Sequence, residues 1–107
     1  MEPGNQLNIS TLSEDWSDKD MVILHACFQI LTDCIEKEQL FTGHIDWTND
    51  ELHINAKKEI LELYEWWNER VKKEQDDEID PIWTEKQHEQ DTEMLIRLIK
   101  IRGFLWT

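Results

Sequence analysis

Glycine, proline and cysteine are scarce in this sequence, with three glycines, two prolines and two cysteines among 107 residues. Three glycines cannot build the glycine-rich loop that cradles phosphate groups, so that class of nucleotide site is excluded. Cys27 and Cys34 fall in one predicted helix, about 10 Å apart along its axis, which is too far for a disulfide between them. The sequence therefore predicts an intracellular protein whose cysteines are reduced.

Basic residues and long apolar segments are also few. The 11 Lys and Arg residues face 24 Asp and Glu, giving a net charge of -13 at pH 7. Such a surface repels nucleic acids and anionic membranes, and it favours basic partners. No apolar run approaches the roughly 20 residues of a membrane span, and the first residues lack the features of a secretory signal. We expect one domain over residues 1–107 that binds neither nucleic acid nor membrane.

Helical periodicity is the strongest positive signal. Apolar residues recur every three or four positions in segments 17–38, 48–75 and 84–103, which predicts an all-α, three-helix bundle preceded by an arm at 1–12. The stripe of the first helix is wide enough to predict burial on more than one side. The expected core comprises Leu24, Phe28, Leu31, Ile35, Ile60, Leu63, Trp67, Leu95, Leu98 and Ile101.

Tryptophan is abundant: four of the six tryptophans stand directly before a Ser or Thr, and three of these pairs, at 16–17, 47–48 and 83–84, stand at the start of a predicted helix. The hydroxyl residue is expected to cap a helix, with an acid or amide three residues on as its reciprocal partner. The tryptophan would pack on the fourth helical residue as a hydrophobic staple, so Trp47 would contact Leu52. The tryptophan at 83 keeps a second interpretation, an exposed anchor for a partner.

Acidic residues on the second predicted helix raise the possibility of metal chemistry. Glu59 and Glu62 match the ExxE element with which nucleotide pyrophosphohydrolases of the MazG type bind magnesium. The second element is poor, because Glu89 is followed at the required spacing by Thr92 instead of an acid. Acids at this spacing are usually a solvated face with nearby Lys and Arg partners, so we expect no metal or other cofactor.

A small basic and aromatic patch near the C-terminus contrasts with the acidic remainder; it consists of Arg97, Lys100, Arg102, Phe104 and Trp106. Its charges either complement the helix dipole and pair with the acidic second helix, or they dock an acidic partner or a second copy of the chain, so a homodimer is possible. Exposed aromatics, the acidic segment after the second helix and this patch together give the candidate partner surface. It comprises Trp66, Asp76, Asp77, Glu78, Trp83, Arg97, Arg102 and Trp106.

Three segments resemble a family of small acidic proteins of tailed bacteriophages: HACFQILTDCIEKE, EILELYEWWNERVKK and DTEMLIRLIKIRGFLWT. The resemblance covers roughly residues 20–107 and assigns no catalytic residue. It implies the cytoplasm of an infected bacterium and, by analogy with other small acidic phage proteins, a host or phage protein as partner. The leading hypothesis is a phage-encoded, non-enzymatic protein-binding module that interferes with a host factor. A divergent magnesium-dependent pyrophosphohydrolase and a virion structural or assembly component are the alternatives.

Overall fold

Three α-helices form most of the part of the protein that the structure describes. The computed structural model describes residues 7–12, 19–42, 46–75 and 85–105. Helix α1 spans Lys19–Glu36, α2 spans Glu51–Gln75 and α3 spans Glu85–Ile101, followed by a 3-10 turn at Arg102–Phe104. No strand occurs in the described residues. The predicted all-α, three-helix architecture is confirmed.

Consecutive helices run antiparallel, as the contacts along their lengths indicate. Phe28, midway along α1, stacks on Trp67 of α2, while Glu36 at the end of α1 accepts a hydrogen bond from Tyr64, which lies earlier in α2. Across the second seam, Arg97 late in α3 pairs with Glu59 early in α2. In the described part of the chain, no helix has the length and apolar character needed to span a bilayer.

Helix α2 begins three residues later than the sequence pattern predicts. Asp50 caps it, because its carboxylate accepts the backbone N–H of His53 at 2.8 Å. Thr48 instead donates its hydroxyl and its backbone N–H to the Asp46 carboxylate, at 2.7 and 2.9 Å. The predicted cap at Thr48 is therefore wrong, since a local turn around Asp46 takes its hydroxyl. The caps predicted at residues 17 and 84 lie outside the described residues.

Trp47 is buried, but its partners differ from the predicted staple. Leu52 is 64% exposed and lies outside the packed cluster of apolar side chains. The Trp47 ring instead meets Phe41 at a centroid distance of 5.3 Å and His53 at 6.1 Å. Its indole N–H donates to the Leu40 carbonyl at 3.2 Å. Trp47 therefore anchors the connection between α1 and α2, and the predicted contact with Leu52 is wrong.

The core is centred on Trp67, which stacks on Phe28 at 4.8 Å. Seven of the ten predicted core residues are buried, whereas Ile35, Leu95 and Ile101 pack at the margin of the cluster. The core also includes side chains that the helical stripes alone do not select, notably Leu40 and Trp47 from the connection. Among the described residues, the buried apolar side chains are Leu24, Phe28, Leu31, Cys34, Leu40, Trp47, Ala56, Ile60, Leu63, Trp67, Met94 and Leu98.

Candidate functional site

Three of the eight residues in the predicted partner surface, Trp66, Arg97 and Arg102, are described in the structure. The other five lie outside the described residues: Asp76, Asp77, Glu78, Trp83 and Trp106. Trp66 is half-buried and its ring lies 5.4 Å from the Phe28 ring and 6.1 Å from the Trp67 ring. Only part of this indole is therefore available to a partner.

Arg97 joins α3 to α2 through two glutamates. Its Nε donates to Glu59 at 3.1 Å, and its Nη2 donates to the other Glu59 oxygen and to Glu62, the latter at 2.8 Å. The hydrogen bond with Glu59, and then that with Glu62, holds the pKa of the guanidinium above its usual range, although partial burial opposes this. The ion pair with the acidic second helix, one of the two interpretations of the C-terminal patch, is formed.

The same contact bears on the magnesium alternative. Glu59 and Glu62, the two carboxylates that match the pyrophosphohydrolase element, share one guanidinium. A divalent cation between them would meet the positive charge of Arg97 at short range. Among the described residues, no group of three His, Cys, Asp or Glu side chains is arranged to hold a metal ion. In the folded protein, Glu59 and Glu62 instead bind Arg97 and so hold α2 against α3.

Arg102 lies at the other end of the predicted basic patch. Its Nη1 donates to the Ile99 carbonyl at 2.8 Å, so the guanidinium covers the C-terminal end of α3. A cation at this position complements the negative end of the helix dipole. Arg102, Arg97 and Trp66 share no hydrogen-bond, ion-pair or ring partner among the described residues.

Exposed carboxylates line the outward face of the α2–α3 seam. This carboxylate ridge consists of Glu62, Glu65 and Glu69 on α2 with Glu89 and Glu93 on α3, all of them exposed. The antiparallel register set by the Arg97–Glu59 and Arg70–Asp91 pairs brings the turns of α2 and α3 that carry these acids level with each other. Among the described residues, the ion pairs involve Glu62 but none of the other four members.

Trp66 lies within the carboxylate ridge. It follows Glu62 by four positions and precedes Glu69 by three, the spacings at which helical side chains are neighbours. Between Lys58 and Arg70, α2 carries no basic residue. The ridge therefore combines negative charge with one partly exposed aromatic ring.

The outward face of α1 has the opposite character. Ile23 is 57% exposed and Ile30 is 47% exposed, with Ala26 and Cys27 partly exposed between them. Residues 21–32 contain no Asp, Glu, Lys or Arg. The predicted burial of α1 on more than one side is found for its inner face and for the side covered by residues 10–11, where His25 and Gln29 are buried. The third side is open and apolar.

A polar network inside the bundle was not predicted from the sequence. His25 is fully buried, with its Nδ1 at 2.7 Å from the Thr11 hydroxyl and its ring edge against Trp67. Its Nε2 lies 3.3 Å from a Glu74 carboxylate oxygen, without the alignment of a good hydrogen bond. The contact with His25, followed by that with Arg70, lowers the pKa of Glu74 although partial burial opposes this.

Arg70 continues the network from α2 into α3. It donates to both carboxylate oxygens of Asp91, at 3.1 Å each, and its Nη1 donates to Glu74 at 2.9 Å. Gln87 adds a third donor to Asp91 at 2.8 Å. The network thus runs from Thr11 to Gln87 and connects the segment before α1 with all three helices. Because Arg70 and Asp91 are buried and satisfy each other, the network helps to fix how one end of the bundle is assembled.

A sequence signal for this network exists. Arg70 follows Trp67 by three positions and Leu63 by seven, so it occupies the apolar stripe of α2. Asp91 precedes Met94 by three and Leu98 by seven, so it occupies the stripe of α3. Opposite charges on the buried stripes of two neighbouring helices indicate a buried ion pair.

Comparisons of the chain with family models, curated proteins and solved structures find no match.

Proposed function

We propose that this protein is a phage-encoded, non-enzymatic protein-binding module that recognises a basic partner in an infected bacterium through the carboxylate ridge. One observation carries the proposal: Glu65, Glu69, Glu89 and Glu93 face solvent without a cationic partner among the described residues. Adjacent surface acids left unbalanced produce a field that attracts basic proteins and raises their association rate.

The positions of Arg70 and Arg97 increase the difference in charge between the α2–α3 seam and its outward surface. Arg70 and Arg97 are directed into the seam, where they neutralise carboxylates of the bundle itself. Glu65, Glu69, Glu89 and Glu93 on the outward side have no ion-pair partner among the described residues. A basic partner would therefore find unpaired carboxylates on both helices of the seam.

Trp66 supplies the apolar component that charge alone does not. Interface energy concentrates in aromatic anchors surrounded by polar groups, and Trp66 lies between Glu62 and Glu69 on the helix surface. Its inner edge is fixed by Phe28 and Trp67, so little side-chain entropy is lost when a partner covers the outer edge.

The phage setting rests on the resemblance of residues 20–107 to small acidic phage proteins. In that setting, a partner from the host whose activity is blocked is the simplest role for a small binding module. The segment that joins α2 to α3 adds Asp76, Asp77 and Glu78, which we propose extend the recognition surface.

The experiment is affinity capture from an infected-cell lysate with tagged protein, comparing two variants that change the net charge equally. Glu65→Gln with Glu69→Gln neutralises two acids of the ridge, whereas Asn8→Lys with Asn49→Lys alters exposed positions outside it. We expect the wild type and the second variant to retain the same partner and the ridge variant to lose it. Capture should also weaken between about 50 and 300 mM salt.

Circular dichroism of both variants controls for folding. Equal capture by the two variants, or capture that is indifferent to salt, would contradict recognition through the ridge. Release of pyrophosphate from a nucleoside triphosphate with magnesium, lost in Glu59→Gln, would contradict the non-enzymatic assignment.

A further inference from the structure

The outer strip of α1, defined as Ile23, Ala26, Cys27 and Ile30, is the most apolar exposed surface of this helix. Single exposed apolar residues are common and need no explanation. Here two isoleucines lie one heptad apart on one face, and residues 21–32 between them and around them carry no Asp, Glu, Lys or Arg. This exposed helix face without charge contrasts with a chain whose net charge is -13.

The strip is complementary to itself. Ile23 and Ile30 are separated by about 10.5 Å along the helix axis, with Ala26 and Cys27 midway. If two copies of α1 meet antiparallel about a two-fold axis at this midpoint, Ile23 of each copy lies against Ile30 of the other. The small Ala26 side chain near the axis allows the helices to approach to roughly 8–10 Å. This is the isologous arrangement that most homodimers use.

Charges at the two ends of the strip also fit a second copy. Lys19 lies one turn before Ile23, and Asp33 lies one turn after Ile30. Antiparallel pairing brings Lys19 of one copy near Asp33 of the other, where it joins the Asp33–Lys37 pair that is already present at 3.5 Å. The two helix dipoles then oppose each other, which is favourable.

Charge distinguishes the molecule that would cover the outer strip from the basic partner proposed for the carboxylate ridge. The strip has no carboxylate to attract a basic protein. For two chains that each carry a net charge of -13, the approach with least repulsion is through the face that bears no acid. We therefore infer that a second copy of this chain covers the outer strip, forming a two-fold antiparallel α1–α1 dimer.

The dimer goes beyond the proposed function and leaves the carboxylate ridge of each copy exposed. One helix pair buries an area at the low end for stable interfaces, so the dimer should dissociate on dilution. Because salt screens the repulsion between copies, higher salt strengthens the dimer, whereas it weakens recognition through the ridge. The two proposals can therefore fail independently.

The first test is sedimentation equilibrium over a range of concentrations. The apparent mass of the wild type should rise from 13.0 kDa toward twice that value. Ile23→Glu places a buried charge in the interface twice, and it should weaken dimerisation by at least about 100-fold. Ile96→Glu makes the same change at another exposed isoleucine, on α3, and should leave dimerisation unchanged.

A monomer at all concentrations, a dimer that survives Ile23→Glu, or equal loss of the dimer in Ile96→Glu would overturn the inference. Both positions are exposed, so the variants are expected to fold, which circular dichroism checks directly.

The second test uses the cysteines as position markers. Cys27 flanks the proposed two-fold axis, so a short bismaleimide should join two copies through it. Cys34→Ser should leave this cross-link intact, because Cys34 is buried, and burial with the nearby Glu38 carboxylate raises the pKa of its thiol to about 11. Cross-linking that persists in Cys27→Ser, or in Ile23→Glu at the same protein concentration, would place any dimer contact elsewhere.

Discussion

Two arginines hold the α2–α3 seam, and they do so in different surroundings. Arg70 is 4% exposed and donates to both carboxylate oxygens of Asp91. It also forms an ion pair with Glu74. Arg97 is 32% exposed and binds Glu59 and Glu62 near the other end of the same seam. Each cation therefore faces two carboxylates, and the chief difference between the two sites is access to water.

That difference decides what each pair contributes. Water screens the Arg97 cluster and solvates its members when they separate, so the net gain is small. At Arg70 the charges have already lost their hydration, and each depends on the others for compensation. The buried cluster therefore determines that the helices meet in one register, whereas the exposed one adds little to stability.

Removing the buried cation should have the largest effect. Arg70→Met keeps the aliphatic stem but leaves Asp91 buried without its guanidinium. We expect the free energy of unfolding to fall by about 3–5 kcal/mol. Urea denaturation followed by circular dichroism measures it, and a loss below about 1 kcal/mol would show that water already reaches this site.

A second variant separates the cost of an orphaned charge from the value of the pair. Arg70→Met combined with Asp91→Leu removes both charges, and we expect it to recover most of the lost stability or to exceed the wild type. A double variant as unstable as Arg70→Met alone would mean that the ion pair itself, and not the unpaired Asp91, accounts for the effect.

Substitution of Glu74 should have an intermediate effect on the free energy of unfolding. This residue links Arg70 to His25 and is partly open to solvent. Its folded-state pKa lies below the ordinary value of 4.5, chiefly because of His25 and then Arg70. The stability that this shift contributes is present above that ordinary value and is lost as the pH falls through the lower folded-state pKa. Glu74→Gln should lower the free energy of unfolding by about 1 kcal/mol at neutral pH, discounted for its exposure.

The measurement compares urea denaturation of the wild type and Glu74→Gln from neutral to acidic pH. The difference between them should shrink as the pH falls below 4.5, because protonation removes the charge that the substitution also removes. A difference that stays constant through this range would assign the loss to packing and not to charge.

The sequence predicts the helices well, for a reason visible at Leu63 and Trp67. Both residues lie on a stripe with a period near 3.6, and burial of such a stripe is required whatever packs against it. The start of α2 is predicted less well, because Asp46, Thr48 and Asp50 are all plausible capping residues. Hydrogen bonds in the connection between α1 and α2 decide which of them caps the helix. Asp46 accepts the Thr48 hydroxyl, and Asp50 accepts the His53 N–H and so caps α2.

The candidate site was harder to predict because it depends on which helices are neighbours. Glu59 and Glu62 have the spacing of a metal pair, and only the register of α3 shows that Arg97 occupies them. Arg70 and Asp91 stand out as charges on apolar stripes, but their partnership follows from the same register. The open face of α1 could not be inferred either, since its stripe predicts burial without naming what covers each side.

The smallest effect should come from the exposed cluster. Arg97→Met leaves Glu59 and Glu62 able to turn toward water, so we expect the free energy of unfolding to fall by only about 0.2–1 kcal/mol, and by less at high salt. Urea denaturation at low and high salt measures both quantities. A loss as large as that of Arg70→Met would erase the distinction between the two sites, because it would show that two partly solvated glutamates depend on their cation as strongly as a buried aspartate does.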